Sequence, residues 1–128
     1  MNVIFIEDDP MNRRVVGDML SVAGATMTEA ESGEIGLKLI DATDFDMALI
    51  DLRMPGMDGI TAIERIRSRG DAKAKLPIIV VTADTALDLR ERCLAAGADD
   101  VLFKPVAMDA LFEAMGRILA GGEGDMIL

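Results

Sequence analysis

Short runs of consecutive apolar residues, each closed by a polar group and followed by a segment of helical period, constrain this chain most. VIFI at 3–6 closes on Glu7, MALI at 47–50 on Asp51, and PIIVV at 77–81 on Thr82. A strand with one face in water alternates apolar and polar residues, whereas a run that is apolar throughout is covered on both faces. Such strands belong to a parallel sheet with helices on both sides.

The segments between the runs supply those helices. After Asp9 and Pro10, Val15, Val16, Met19, Leu20 and Ala23 recur at helical spacing until Gly24 stops the pattern. Asp9 can cap free backbone N–H groups, and a proline fits the first turn, where its missing donor is no loss. The alternation then repeats. It predicts a strand over about 25–30, a helix over 33–42, a strand over 47–51 and a helix over 59–68. A strand over 77–82, a helix over about 87–96, a short strand over 101–103 and a helix over 108–119 complete it. Leu111, Phe112, Met115, Ile118 and Leu119 form one apolar stripe on the last helix.

Five strands alternating with five helices predict an α/β fold: a flavodoxin-like, doubly wound five-stranded parallel sheet in the order 2-1-3-4-5. A chain of 128 residues supports one hydrophobic core. The domain is expected to span 1–120, with GGEGD opening a flexible C-terminal tail over 121–128.

Charge narrows the function. A net charge of −10 has the wrong sign for a nucleic-acid backbone or an anionic membrane surface, so direct nucleic-acid binding is not expected. No window approaches eighteen uninterrupted apolar residues, which argues against membrane insertion. The single cysteine, Cys93, cannot form an internal disulfide and reads as packing, compatible with a reducing cytoplasm. With no histidine, imidazole catalysis and the usual zinc ligands are absent. Carboxylates, hydroxyls and amines must carry the chemistry.

In open α/β sheets ligands bind beyond the C-terminal ends of the strands. There the sequence places Glu7 and Asp8 after the first strand, Asp51 at the end of the third, Thr82 at the end of the fourth and Lys104 after the fifth. Three neighbouring carboxylates repel one another unless they share a cation, and one lysine supplies only one positive charge. An oxygen-rich, partly solvated site suits Mg²⁺. A hydroxyl and an ammonium beside a metal suit phosphoryl oxygens, and Asp51, closing a buried strand and entering the loop LRMPGMDG, reads as the nucleophile.

The motifs IEDDP, IDLRMPGMDG, VVTA and AGADDVLFKP, in this order and spacing, resemble a receiver domain of a two-component response regulator from Val3 to about Leu119. The resemblance implies a phosphorylation-dependent signalling switch rather than an enzyme, with at most self-dephosphorylation. It implies Asp51 as phosphoacceptor, Asp8 as a direct Mg²⁺ ligand, Glu7 as a second acid acting through water, and the Arg53 backbone carbonyl completing the metal site. Thr82 is then the switch hydroxyl and Lys104 the phosphate-binding amine. The implied donor is a sensor histidine kinase or histidine phosphotransfer protein, and the output a contact with a downstream protein, in the manner of single-domain chemotaxis-type or cell-cycle-type regulators. A receiver excised from a hybrid kinase or a longer regulator would read the same way.

Two positions depart from the family pattern. Val101 stands where many receivers carry a Tyr or Phe, so the switch is expected to work through backbone and helix movement. Arg53 and Asp84, each two residues beyond a site residue, are expected to pair across the pocket mouth and restrict the hydrolytic water.

Plainer readings compete at several residues. Asp9 and Asp58 read as helix caps, Asp99 and Asp100 as turn residues, and the methionines as core filler. Two alternatives to the switch are a phosphorylation-independent binding module and an aspartyl-nucleophile phosphohydrolase. Such hydrolases place a second acid two residues beyond the nucleophile, where this chain has Arg53.

Overall fold

The computed structural model describes the backbone of residues 1–127 and the side chains of residues 1–120. Strands β1 (Asn2–Ile6), β2 (Thr26–Ala30), β3 (Met47–Asp51), β4 (Ile78–Thr82) and β5 (Asp100–Phe103) alternate with helices α1 (Pro10–Val22), α2 (Gly33–Ala42), α3 (Gly59–Arg67), α4 (Leu89–Ala96) and α5 (Met108–Ile127). All pairings are parallel, in the order β2-β1-β3-β4-β5. The doubly wound sheet expected from the apolar runs is therefore present.

Because strand side chains alternate sides, the fully buried strands feed two separate cores. Ile4, Ile6, Ala48, Ile50, Ile78 and Val80 pack with Ile40, Ile63, Ile66, Leu89 and Cys93 under α2, α3 and α4. Val3, Phe5, Met47, Leu49, Ile79 and Val81 pack with Val16, Leu20, Leu111, Ala114 and Met115 under α1 and α5. Cys93 is buried, as its packing role requires.

Capping residues set the helix starts. The Asp9 carboxylate accepts the Met11 N–H at 2.9 Å before α1, and the Asp58 carboxylate accepts the Thr61 N–H at 2.8 Å before α3. Helix α4 is held more loosely: its N-cap Asp88 makes no side-chain cap, and only Leu89 and Cys93 are buried along it. Its start lies at Leu89 rather than Leu87, whose side chain is fully exposed. A 3₁₀ turn at Ala72–Lys75, with no apolar period to announce it, follows α3.

Two readings change. Asp100 is not a turn residue: it opens β5, is 4% exposed, and pairs with Arg90 of α4 and Arg117 of α5. Asp99 lies in the turn, but its carboxylate accepts the Ile78 N–H at 2.8 Å and so fixes the start of β4. Helix α5 continues beyond the Leu119 at which its apolar stripe ends, and the side chains of the expected tail, 121–128, lie outside the described residues.

Candidate functional site

Parallel strands end at one edge, and that edge gathers the predicted groups. Asp51 and Thr82 are the last residues of β3 and β4, while Glu7 and Lys104 directly follow β1 and β5. Ile6 lies beside Ile50, so the next step along both strands brings Glu7 alongside Asp51. Glu7 and Thr82 are fully buried and Asp51 nearly so, whereas Asp8 faces solvent.

Carboxylate oxygens of Glu7, Asp8 and Asp51 lie within 4.8 Å of one another. Lys104 Nζ stands 2.6 Å from Glu7 Oε1 and 3.6 Å from Asp51 Oδ1. Burial raises the Glu7 carboxyl above its ordinary range, and the neighbouring Asp51 adds to this more than Lys104 relieves it. Burial alone would lower the Lys104 ammonium, yet the hydrogen bond to Glu7 and the charge of Asp51 hold it above its ordinary value. Glu7 Oε2, alone among the described buried side-chain N and O atoms, has no hydrogen-bond partner.

An unpaired buried carboxylate oxygen is costly, and a hard cation or its water would satisfy it. Three carboxylates against one lysine leave negative charge uncompensated at the same place. The donor set is all oxygen and spans a buried and a solvent-facing residue, so it fits Mg²⁺, which keeps part of its water shell.

The loop after β3 is held from several sides. Gly56 adopts φ 80°, a conformation that favours glycine, and Glu34 of α2 accepts the Met57 N–H at 3.2 Å. Gly59 packs directly on the backbone behind Asp51: an added Cβ would lie 2.5 Å from the Asp51 carbonyl oxygen and 2.8 Å from the Leu52 Cα. The Arg53 N–H approaches Asp51 Oδ1 at 3.4 Å. At the end of β4 the Thr82 hydroxyl oxygen accepts the Asp84 N–H at 3.0 Å, keeping its own hydrogen for another acceptor.

The Arg53 guanidinium pairs with Asp84, as the sequence predicts. Each holds the other charged, Arg53 raised and Asp84 lowered from their ordinary values. They border a groove of about 490 Å³ shared with Met54, Pro55 and Arg92, which lies beside the acidic cluster rather than on it.

Glu7, Asp8, Asp51, Thr82 and Lys104 thus meet at one edge. Sequence reading misses what braces them: Glu34 and Gly59 behind the β3 loop, and Arg13 of α1, whose guanidinium binds the Glu7 carbonyl oxygen at 2.8 Å. These contacts join separate elements, so no local pattern announces them.

Comparison with known proteins bears on this arrangement. Residues 3–116 match the family model of the response regulator receiver domain. The sensor histidine kinase RcsC of Salmonella typhi is 36% identical over 115 residues, which are 90% of this chain and 12% of that protein. The chain thus spans only a small part of the curated relatives it matches. Among solved structures, the receiver domain of sensor histidine kinase PA1611 from Pseudomonas aeruginosa, with a magnesium ion in its active-site cleft, superposes with TM-score 0.84. It is 31% identical, over 93% of this chain and 97% of that one. The Vibrio cholerae chemotaxis protein CheY4 gives 0.83 at 26% identity, over 91% and 97%.

Proposed function

The chain belongs to the response regulator receiver family, and from that premise we propose that it is a phosphorylation-dependent switch whose acceptor is Asp51. The observation that carries this reading is the orphaned Glu7 Oε2 beside Asp8, Asp51 and a single lysine, an arrangement short of positive charge and open to an incoming phosphoryl group. A Mg²⁺ held by Asp8, Asp51, the Arg53 carbonyl and, through water, Glu7 would neutralise charge on that group.

The chain's own residues do the rest. The Asp51 carboxylate oxygen attacks the phosphorus of a phosphohistidine on a sensor histidine kinase or a histidine phosphotransfer protein. The P–N bond breaks, its electron pair returns to the imidazole nitrogen, and an acyl phosphate forms on Asp51. Lys104 is close enough to Asp51 to turn from Glu7 to the phosphoryl oxygens, and the Thr82 hydroxyl donates to one of them. The chain lacks histidine, so the donor is another domain or molecule.

Output in this reading is an altered contact with a downstream protein. Val101, 4% exposed within the core under α2, α3 and α4, offers no aromatic ring to rotate inward, so the end of β4 at Thr82 and the loop bearing Asp84 carry the change through backbone and helix movement. No described helix is long and apolar enough to cross a membrane, and the switch works in the cytoplasm beside its donor. It is a regulator that turns over only its own phosphoryl group.

Trapping tests the assignment. Borohydride reduction of the phosphorylated chain converts an aspartyl phosphate to homoserine, and peptide mass spectrometry is expected to find it at position 51. Homoserine at another acid, or none after phosphorylation, contradicts the reading.

A further inference from the structure

Arg13 lies on the first turns of α1 with its side chain only 15% exposed, although it makes no ion pair with any acid of the cluster. Its Nε donates to Glu29 Oε1 of β2 at 3.1 Å, and its Nη1 donates to the Glu7 carbonyl oxygen at 2.8 Å. Its backbone N–H bonds the Asp9 carbonyl oxygen at 3.1 Å. One residue therefore spans the turn that presents Glu7 and Asp8 and ties it to the neighbouring strand.

The Glu7 backbone is pinned from both sides. Its N–H donates to the Ala30 carbonyl at the end of β2 at 2.9 Å, and its C=O receives the guanidinium. With both groups fixed, the Glu7 side chain is aimed at Lys104 and Asp51, and the following Asp8 projects beside them. A buried carbonyl taking a charge-assisted hydrogen bond from a guanidinium that is itself held by a carboxylate is a stiff support.

We propose that Arg13 is a positioning residue for the divalent-cation site: by holding the Glu7 carbonyl against β2 it sets the geometry of Glu7 and Asp8, and so the cation affinity, without touching the cation. This rests on the Mg²⁺ reading of the acidic cluster. The sign of the effect separates positioning from charge. Removing a positive side chain near a cation site would by Coulomb's law alone tighten cation binding. Removing a support for the ligands weakens it, and weakens Mg²⁺ more than Ca²⁺, because Mg²⁺ demands near-ideal octahedral geometry and Ca²⁺ does not.

Isothermal titration calorimetry of the whole chain with Mg²⁺ and with Ca²⁺ tests this, with Asp8→Asn as the control for the site. Arg13→Met is expected to bind Mg²⁺ about tenfold more weakly than wild type, the scale for loss of an outer-shell partner, with a smaller loss for Ca²⁺. Arg13→Lys, which keeps the charge but not the two-pronged contact, falls between them. The metal-free thermal midpoint falls as well, because the Glu7 carbonyl loses its hydrogen bond, but a merely structural role would not change the ratio of Mg²⁺ to Ca²⁺ affinity. Should Arg13→Met not fold, Arg13→Gln, which loses the charge but keeps an N–H donor, takes its place, and about a threefold loss of Mg²⁺ affinity is expected where Coulomb's law alone predicts a gain. Unchanged or tighter Mg²⁺ binding in these variants, with wild type binding and Asp8→Asn not, overturns the role of Arg13 and leaves the site standing. Absence of Mg²⁺ binding by wild type overturns both.

Discussion

Lys104 Nζ lies 2.6 Å from Glu7 Oε1 but 3.6 Å from Asp51 Oδ1, so the lysine rests on Glu7 and stands one short movement from the proposed acceptor. In the proposed switch its charge stabilises a phosphoryl group on Asp51 only after it turns. Lys104→Met is therefore expected to slow phosphorylation of Asp51 by about 100-fold, the scale for removal of one preorganised electrostatic partner. Stopped-flow measurement with a small phosphodonor checks this, and a rate within twofold of wild type would show that the lysine serves only Glu7.

In the proposed switch the Arg53–Asp84 pair, which borders the groove beside the acidic cluster, shields the side of the site from which water would reach a phosphorylated Asp51. Arg53→Ala opens that side and is expected to shorten the lifetime of the phosphorylated state severalfold. Its thermal stability should not change measurably, because the Arg53 side chain is 76% exposed and solvent screens the pair. The decay of phosphorylated protein followed by intact mass decides it; an unchanged half-life removes this role from the pair.

Asp100 is the buried acid that ties α4 to α5 through Arg90 and Arg117. Burial by itself would raise its pKa, but the Arg90 hydrogen bond, the Val101 N–H and the two guanidinium charges together hold it below the usual carboxylate value of 3.8. A depressed folded-state pKa gives stability that is complete above the unfolded value and is lost as pH falls through the folded one. Asp100→Asn should cost about 1–2 kcal/mol near pH 7, because both arginines are more than half exposed and rehydrate. Urea denaturation should find that gap constant from about pH 7 to about pH 5 and closing below 3.8. Hydrogen exchange should quicken first in α4, which buries only two side chains of its own. A gap that persists into strong acid contradicts the assignment.

Gly59 offers a steric test of how Asp51 is held. An alanine Cβ would meet the Asp51 carbonyl oxygen at 2.5 Å and the Leu52 Cα at 2.8 Å, both backbone atoms that cannot swing aside. Gly59→Ala should destabilise the fold by about 1–3 kcal/mol and slow phosphorylation more than its residual stability explains. Denaturation and phosphorylation rates measured together check this; a variant as stable as wild type would show that α3 can slide.

Most of the fold is legible in the chain because its signals are local. VIFI and PIIVV announce strands covered on both faces, and Asp9 and Asp58 mark the helix starts they cap. The strand-end groups follow from the same pattern, since parallel strands deliver their last residues to one edge. What the sequence hides is set by contacts between distant segments. Asp100 looks like a turn residue beside Gly97 and Asp99 until Arg90 and Arg117 are seen to converge on it. Arg13 looks like an ordinary helix-surface cation until its guanidinium is found on the Glu7 carbonyl. The 3₁₀ turn at Ala72–Lys75 has too few residues to show a period, and Lys73 secures it by donating to the Ile40 carbonyl of α2 at 2.6 Å.

The most direct measurement is the intact mass of the chain after incubation with acetyl phosphate, with and without Mg²⁺, for wild type and Asp51→Ala. A single added phosphoryl group that requires both Mg²⁺ and Asp51 is the predicted result. Absence of an adduct, together with failure of the stable beryllium fluoride mimic to bind in the presence of Mg²⁺, would contradict the switch and leave a module that binds its partner without phosphorylation.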